Sequence, residues 1–298
     1  MSSKSERNDR KSGKKPPFNS RGQAPRDRGE KPARQGFGDR QEAPRAARPA
    51  ERSKADGDNF LWGRHPVLAA LANPARRGMG RLLATPERAA EIESQDLAYG
   101  HRVEVLDVQA LTRMLPPGAV HQGLAFKVQP LEGVTLEDLA EPAQGVLVML
   151  DQLTDPQNVG AIFRSALAFG ARGVIVQDRH APALAGALAK AAVGATERLP
   201  HARVTNLSRA LERLADLGWR AVGLDGSGEA TLEQALDAQP TVLVMGSEGD
   251  GIRRLVAEHC DVLARIPMPG GFESLNVSNA AAVALYEASR AQRRSDLA

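Results

Sequence analysis

The chain of 298 residues predicts an α/β protein, with a parallel doubly wound sheet in its C-terminal half and a smaller α/β unit before it. Three observations carry this reading. Four runs rich in Val and Leu, "GVLVML", "GVIVQ", "RAVGLD" and "TVLVMG", recur between residues 145 and 246. Helical patterns separate them, as where Val159, Ile162, Phe163, Ala166 and Leu167 follow the spacing of an amphipathic helix. The runs are also continuously apolar, as strands are when helices cover both faces of their sheet. Ligands of such sheets lie beyond the carboxyl ends of the strands, so polar residues there are the candidates for function.

Residues 1–56 hold about twice as many Lys and Arg as Asp and Glu, and Phe18 and Phe37 are their only aromatic residues. That leaves too little apolar surface to offset the entropy of ordering a backbone, so a disordered basic tail is expected. The tail supplies the net charge of +3; the remainder is slightly acidic. A flexible cationic arm suits a polyanion, because each phosphate it neutralises releases counterions. The alternative is a solubilising tail without a partner.

Folded structure is expected to begin near "NFLWGRHPVLAAL", where Val67, Leu68 and Leu71 open a helical pattern. Then "RGMGRLLAT" predicts a strand, "PERAAEIESQDLAYG" a helix ended by Gly100, and "RVEVLD" an alternating strand. A helix over Val108 to Met114 precedes "PPGAVHQGLAFKV", whose second half is a further strand. Residues 57–132 therefore make one small unit, within the size that folds alone. Pro130, Gly133 and the acidic "EDLAEPAQG" predict a linker over 133–144, and the larger domain takes 145–298.

Three strand ends carry unusual polar sequence. In "DQLTDPQNVGAIFRSALAFG", residues 151–170, Asp151, Asn158 and Arg164 precede or enter a helix. Arg164 lies beside the apolar stripe, one turn after Gly160, whose missing side chain is expected to leave room for substrate at the guanidinium; by helix pattern alone it is a solvated surface residue. In "MGSEGDGIRR", three glycines surround Glu248, so either a ligand approaches the backbone or a tight turn forms. In "IPMPGGFESLNVSNAAAVALYEASR", residues 266–290, a Gly-Pro loop leads through Ser274, Asn276 and Ser278 into an alanine-rich helix. Those polar residues suit helix capping, and the alanines suit either simple helix propensity or close packing.

Several classes are disfavoured. No apolar run spans a membrane and no secretory signal opens the chain, so a cytoplasmic protein is expected. Cys260 is the only cysteine, and six histidines show no ligand spacing, so no metal is expected. Gly246, Gly249 and Gly251 are spaced GxxGxG, which is neither the dinucleotide fingerprint nor a P-loop.

Taken together and in order, NxGAIxR at 158–164, MGSEGxG at 245–251 and IPMxGxxxSLNVSxAAAxxLYE at 266–287 resemble the three motifs of the SpoU (TrmH-like) RNA ribose 2′-O-methyltransferases. The front unit, with "WGRHPVLAAL" and "HQGLAF", resembles the L30e-like substrate-binding domain of a subgroup that methylates a guanosine ribose of 23S rRNA. The resemblance implies a SPOUT fold with a C-terminal trefoil knot, S-adenosylmethionine as cofactor, RNA as substrate, and a homodimer whose active site crosses the interface. It implies Met245, Gly246, Ile266, Met268, Leu275 and Asn276 as cofactor contacts, and Asn158, Arg164, Glu248, Ser274 and Asn276 as the catalytic set. Asn279 and the loop "PGGFE" depart from common versions of the pattern without touching those positions.

Methyl transfer to a ribose 2′-hydroxyl is a displacement that needs alignment and loss of a proton. A guanidinium is a poor base, so the role expected of Arg164 is to hold a phosphate and stabilise the developing alkoxide. The alternatives are Arg164 as the base, a tRNA substrate in place of rRNA, and a non-catalytic RNA-binding or ribosome assembly factor that keeps the fold.

Overall fold

The computed structural model describes residues 59–179, 181–271 and 274–295; the expected basic tail lies outside them. A small sheet is built from β1 (Phe60–Trp62), β2 (Arg81–Ala84), β3 (Val103–Val105) and β4 (Leu124–Lys127) in the order β1-β4-β2-β3. Here β2 and β3 are parallel and the other pairs antiparallel. With it come α1 (Arg64–Ala72), α2 (Pro86–Ser94) and α3 (Val108–Met114). The expected helix up to Gly100 stops early, because Asp96 and Tyr99 turn into the left-handed region at φ 50° and 46°.

The large sheet is parallel throughout. It comprises β5 (Val146–Leu150), β6 (Gly173–Gln177), β7 (His201–Val204), β8 (Arg220–Leu224), β9 (Ala230–Thr231), β10 (Thr241–Met245) and β11 (Val262–Arg265). Their order is β7-β6-β5-β10-β8-β11-β9. One face is covered mainly by α5 (Pro156–Ala168), α6 (Gly186–Ala192), α8 (Leu232–Ala235) and α10 (Val277–Ser295), the other by α4 (Leu136–Ala140), α7 (Leu207–Asp216) and α9 (Arg254–Ala257). The continuous apolar runs follow directly: Val146, Val148 and Leu150 enter the first core, while Leu147 and Met149 enter the second. In β10, Leu243 and Met245 alternate in the same way with Val242 and Val244. The alanines of α10 form a thin face, since Ala281, Ala284 and Ala288 are buried in the core that holds Val159, Ile162 and Phe163 of α5.

Residues 133–144, expected as a linker, belong to the large layer. Val134 bridges to Ala202 of β7, Thr135 caps α4, and Leu139 and Ala140 are buried in the second core. Trp219 Nε1 donates to the Ala140 carbonyl at 2.9 Å.

One short helix joins the two sheets. Ala185 and Ala189, in and just before α6, are buried in the core of the small unit with Leu61, Val67 and Phe126. The opposite side of α6 packs on α5 at Gly160. A Cβ there would stand 2.5 Å from the Leu188 carbonyl oxygen and 2.7 Å from the Ala191 Cβ. The space at Gly160 is therefore filled by α6, and it is not the substrate clearance expected beside Arg164. A buried ion pair locks the same seam: Arg76 Nε and Nη2 donate to the Glu197 carboxylate at 2.7 and 2.8 Å, with Arg76 Nη1 on the Gln129 carbonyl and Asn73 Nδ2 on Glu197. Both side chains are almost wholly buried.

Removing one partner of such a pair leaves the other charge uncompensated. Glu197→Gln is expected to lower the free energy of unfolding by about 3–5 kcal/mol in urea titration. A loss below about 1 kcal/mol, the value of an exposed pair, contradicts this.

Candidate active site

The strand order runs outward from β5 in one direction and from β10 in the other, so the switch point lies between them. A cluster forms beyond their carboxyl ends. After β10 the chain closes on itself: Ser247 N–H donates to the Gly251 carbonyl at 3.0 Å and Gly251 N–H to the Ser247 carbonyl at 3.1 Å. A side chain at Gly246 would collide with the backbone of Gly251 and Ile252, and Gly249 and Gly251 have φ of 94° and 68°. The glycines thus build the turn itself.

Asp151 holds that turn against the sheet. Its buried carboxylate accepts from the Arg253 backbone N–H at 2.9 Å and from Arg253 Nε at 2.7 Å, while its own N–H donates to the Met245 carbonyl. Arg253 Nη2 continues to Gln177 Oε1 at 3.1 Å, so the ends of β5, β6 and β10 share one network. Asp155 caps α5, accepting from Gln157 N–H and Asn158 N–H at 3.2 Å each, with Pro156 in the first turn. This fixes Asn158 at the mouth of the switch point.

Glu248 then draws the three motifs together. Its Oε1 accepts from Asn276 Nδ2 at 2.7 Å, from Asn158 Nδ2 at 3.2 Å and from the Val277 N–H at 3.4 Å. Asn276 Nδ2 also reaches Asn158 Oδ1 at 3.0 Å, and Asn276 Oδ1 caps α10 by accepting the Ser278 N–H at 2.9 Å. Asn276 therefore both caps and cross-links.

Beside this cluster opens a cleft of about 590 Å³. Met245, Gly246, Glu248, Ile266, Met268, Ser274, Leu275 and Asn276 all line it, as does the rest of the 246–251 turn. Sequence reasoning missed Leu224, Asp225 and Gly226, which line it from the end of β8. The signal was present in "RAVGLD", an apolar run ending in an acid at a strand's carboxyl end. Asp225, Glu248 and Asp250 give the lining three carboxylates, and no lysine or arginine is among the described residues that form it.

Arg164 stands apart from this cluster. It is exposed and makes no hydrogen bond or ion pair with any described residue. Six residues on from Asn158, it is rotated by about 240° around α5 and about 9 Å along it. The chain alone brings Asn158, Glu248, Ser274 and Asn276 to one place and leaves Arg164 out.

Other titratable groups offer the cleft little. Burial, with Asp261 and Asp151 near, pushes the Cys260 thiol up to about 12, so it is no nucleophile at neutral pH. Burial holds His201 down to about 4, and that ring lies under β7 against Phe163. No described histidine lines the cleft.

Both parts of the chain match known proteins. Residues 145–286 match the family model of the SpoU rRNA methylases, and residues 60–134 match that of the RNA 2′-O ribose methyltransferase substrate-binding domain. An uncharacterized tRNA/rRNA methyltransferase of Mycolicibacterium smegmatis is 42% identical over 250 residues, covering 81% of this chain and 79% of the relative. Among solved structures, the SpoU methyltransferase AviRb from Streptomyces viridochromogenes, in complex with AdoMet, has a TM-score of 0.65 at 29% identity, covering 79% of this chain and 90% of that one. An AdoMet-bound rRNA methyltransferase from Sinorhizobium meliloti has a TM-score of 0.64 at 26% identity, covering 78% and 86%. The chain belongs to the SpoU family.

If Glu248 pins the three motifs, Glu248→Ala releases them. Amide hydrogen exchange at 246–251 and at Val277 is expected to accelerate about tenfold, the equivalent of one lost charge-assisted hydrogen bond, while β5 and β10 stay protected. Unchanged exchange at these amides contradicts the pinning role.

Proposed function

We propose that this chain transfers a methyl group from S-adenosylmethionine to a ribose 2′-hydroxyl of RNA, with a guanosine of 23S rRNA as the target. The observation that carries the reading is the junction of Asn158, Glu248 and Asn276 at the rim of one acidic cleft. The activity follows from the family, whose methyltransferases use S-adenosylmethionine. The ribose target and the guanosine rest on the substrate-binding domain and on the resemblance of the motifs.

The cleft suits the cofactor on its own chemistry. S-Adenosylmethionine carries a sulfonium and an ammonium against one carboxylate, and the described lining is acidic without a cation. Its volume falls within the range of small-molecule sites. Met245, Ile266, Met268 and Leu275 would give apolar contact, while the backbone of Gly246 and its neighbours would offer hydrogen bonds. When bound, the cofactor supplies an electrophilic methyl group. Glu248 keeps the rim closed by holding Asn158 and Asn276, whose remaining amide capacity orients the ribose. Ser274, exposed on the cleft wall, is placed to hold the ribose or its phosphate. The threading of the C-terminal segment implied by the resemblance would keep the 266–276 loop against the 246–251 turn.

Arg164 acts from a second copy of the chain in this reading. It is exposed and pairs with no described residue, and Leu275, Val283 and Tyr286 are exposed apolar side chains on the loop and helix beside the cleft. A homodimer would cover them and bring a guanidinium to the neighbouring rim. There it holds a phosphate and stabilises charge developing on the 2′-oxygen, while the proton leaves to phosphate or water.

Ribose-methylation mapping of 23S rRNA and tRNA, in cells with and without this chain, tests the target. Loss of one 23S rRNA guanosine methyl is expected; loss confined to tRNA contradicts the rRNA assignment. Arg164→Lys is expected to keep cofactor affinity and lose at least about tenfold in turnover, because a point charge does not replace a planar fork. Mixing Arg164→Ala with Glu248→Ala protein is expected to restore part of the activity by forming one complete site per mixed dimer. Near-normal turnover of the lysine variant, or no restoration on mixing, contradicts these roles.

A further inference from the structure

The seam between the two sheets carries a charge that no carboxylate among the described residues neutralises. Lys190 sits in the last turn of α6, half-buried, and its Nζ donates to Gln122 Oε1 at 3.3 Å. The same oxygen accepts the Arg64 backbone N–H at 3.0 Å. The Lys190 ammonium lies against Gly63, whose φ of +89° favours glycine. Gln122 is held in the left-handed region at φ 54°, and its carbonyl accepts Arg88 Nε at 3.1 Å. A residue without glycine's freedom adopts that conformation when its surroundings impose it.

Three cations, Arg64, Arg88 and Lys190, thus gather at one place. Glu91 accepts from Arg64 Nη2 at 2.8 Å and also pairs with Arg88. Among the described residues, Lys190 has only the neutral amide of Gln122 and the partial negative charge at the C-terminal end of α6. No carboxylate among the described residues pairs with it, and burial pushes its ammonium below the ordinary lysine range. A partly desolvated cation of this kind is stabilised by an incoming anion.

The geometry points to this seam as a binding site for one phosphate of the RNA backbone, contacted by Lys190 Nζ. The inference rests on the reading that this chain acts on RNA. Gly63, Arg64, Arg88 and Gln122 fall within the substrate-binding match and Lys190 within the methylase match, so the phosphate would be held by both at once. Such a contact carries no sequence information; it positions. The position is tied to the active site, because α6 packs directly on α5 at Gly160, one turn before Arg164. RNA caught at the seam therefore enters at a fixed offset from the catalytic helix.

The test measures binding of a short fluorescein-labelled RNA hairpin to the full chain across a series of salt concentrations. Lys190→Gln is expected to weaken binding at low salt about three- to tenfold and to lower the slope of log K against log salt by about one, the signature of one lost phosphate contact. Lys190→Arg is expected to keep the slope. Gln122→Glu serves where Lys190→Gln disturbs the seam, since it keeps the link to Lys190 but supplies the missing counter-ion; it is expected to reproduce the reduced slope. S-Adenosylmethionine affinity stays unchanged in all three. Wild-type slopes in both Lys190→Gln and Gln122→Glu overturn the phosphate site alone, whereas wild-type protein that binds no RNA overturns the reading on which it rests.

Discussion

The site depends on one carboxylate oxygen accepting hydrogen bonds from two segments far apart in sequence. Glu248 Oε1 receives Asn158 from the start of α5 and Asn276 with Val277 from the start of α10, while Glu248 itself hangs from the turn after β10. Each segment is fixed before it arrives. Asp155 caps α5, Asn276 caps α10, and the buried Asp151 clamps Arg253 so that the glycine turn cannot swing away. An exposed carboxylate without this framework would stay with water, because a typical exposed polar contact adds little on its own. Here the ordering of all three partners is already supplied by helix caps and by the sheet, and the contact closes a preformed rim.

Much of this was legible because the large sheet is buried on both faces. Apart from Gln177, Arg220 and Thr241 at strand ends, the runs at β5, β6, β8 and β10 are apolar for the reason seen in Val146 to Leu150, whose side chains alternate between two cores. Strands outside that pattern were not legible. His201–Val204 and Ala230–Thr231 lie at the edges, and Val262–Arg265 lies next to one, so their composition follows local neighbours more than a two-sided core. The acidic stretch before Gly145 suggested a linker because charge was visible and the burial of Leu139 and Ala140 was not.

The site was legible as a set of positions and not as an arrangement. The glycine spacing could not tell a ligand cradle from a self-closing turn, since both need a missing Cβ at Gly246. Gly160 was ambiguous in the same way, and its vacancy belongs to α6. Helix phase alone separates Asn158 from Arg164 by most of a turn, yet a single chain gives no reason for both to be functional. The second copy proposed above would supply that reason. The seam adds a further constraint: α6 is core for the small unit and packing partner for α5, so the front unit and the active site hold one relative position.

The central claim is that Asn158, Glu248 and Asn276 act as one unit in closing the site. A double-mutant cycle on turnover, with Asn158→Ala, Asn276→Ala and the pair measured against the same RNA and saturating S-adenosylmethionine, tests it most directly. If the residues share one network, the double variant loses little more than either single one, with a coupling of at least about 1 kcal/mol. Losses that simply add would contradict the account.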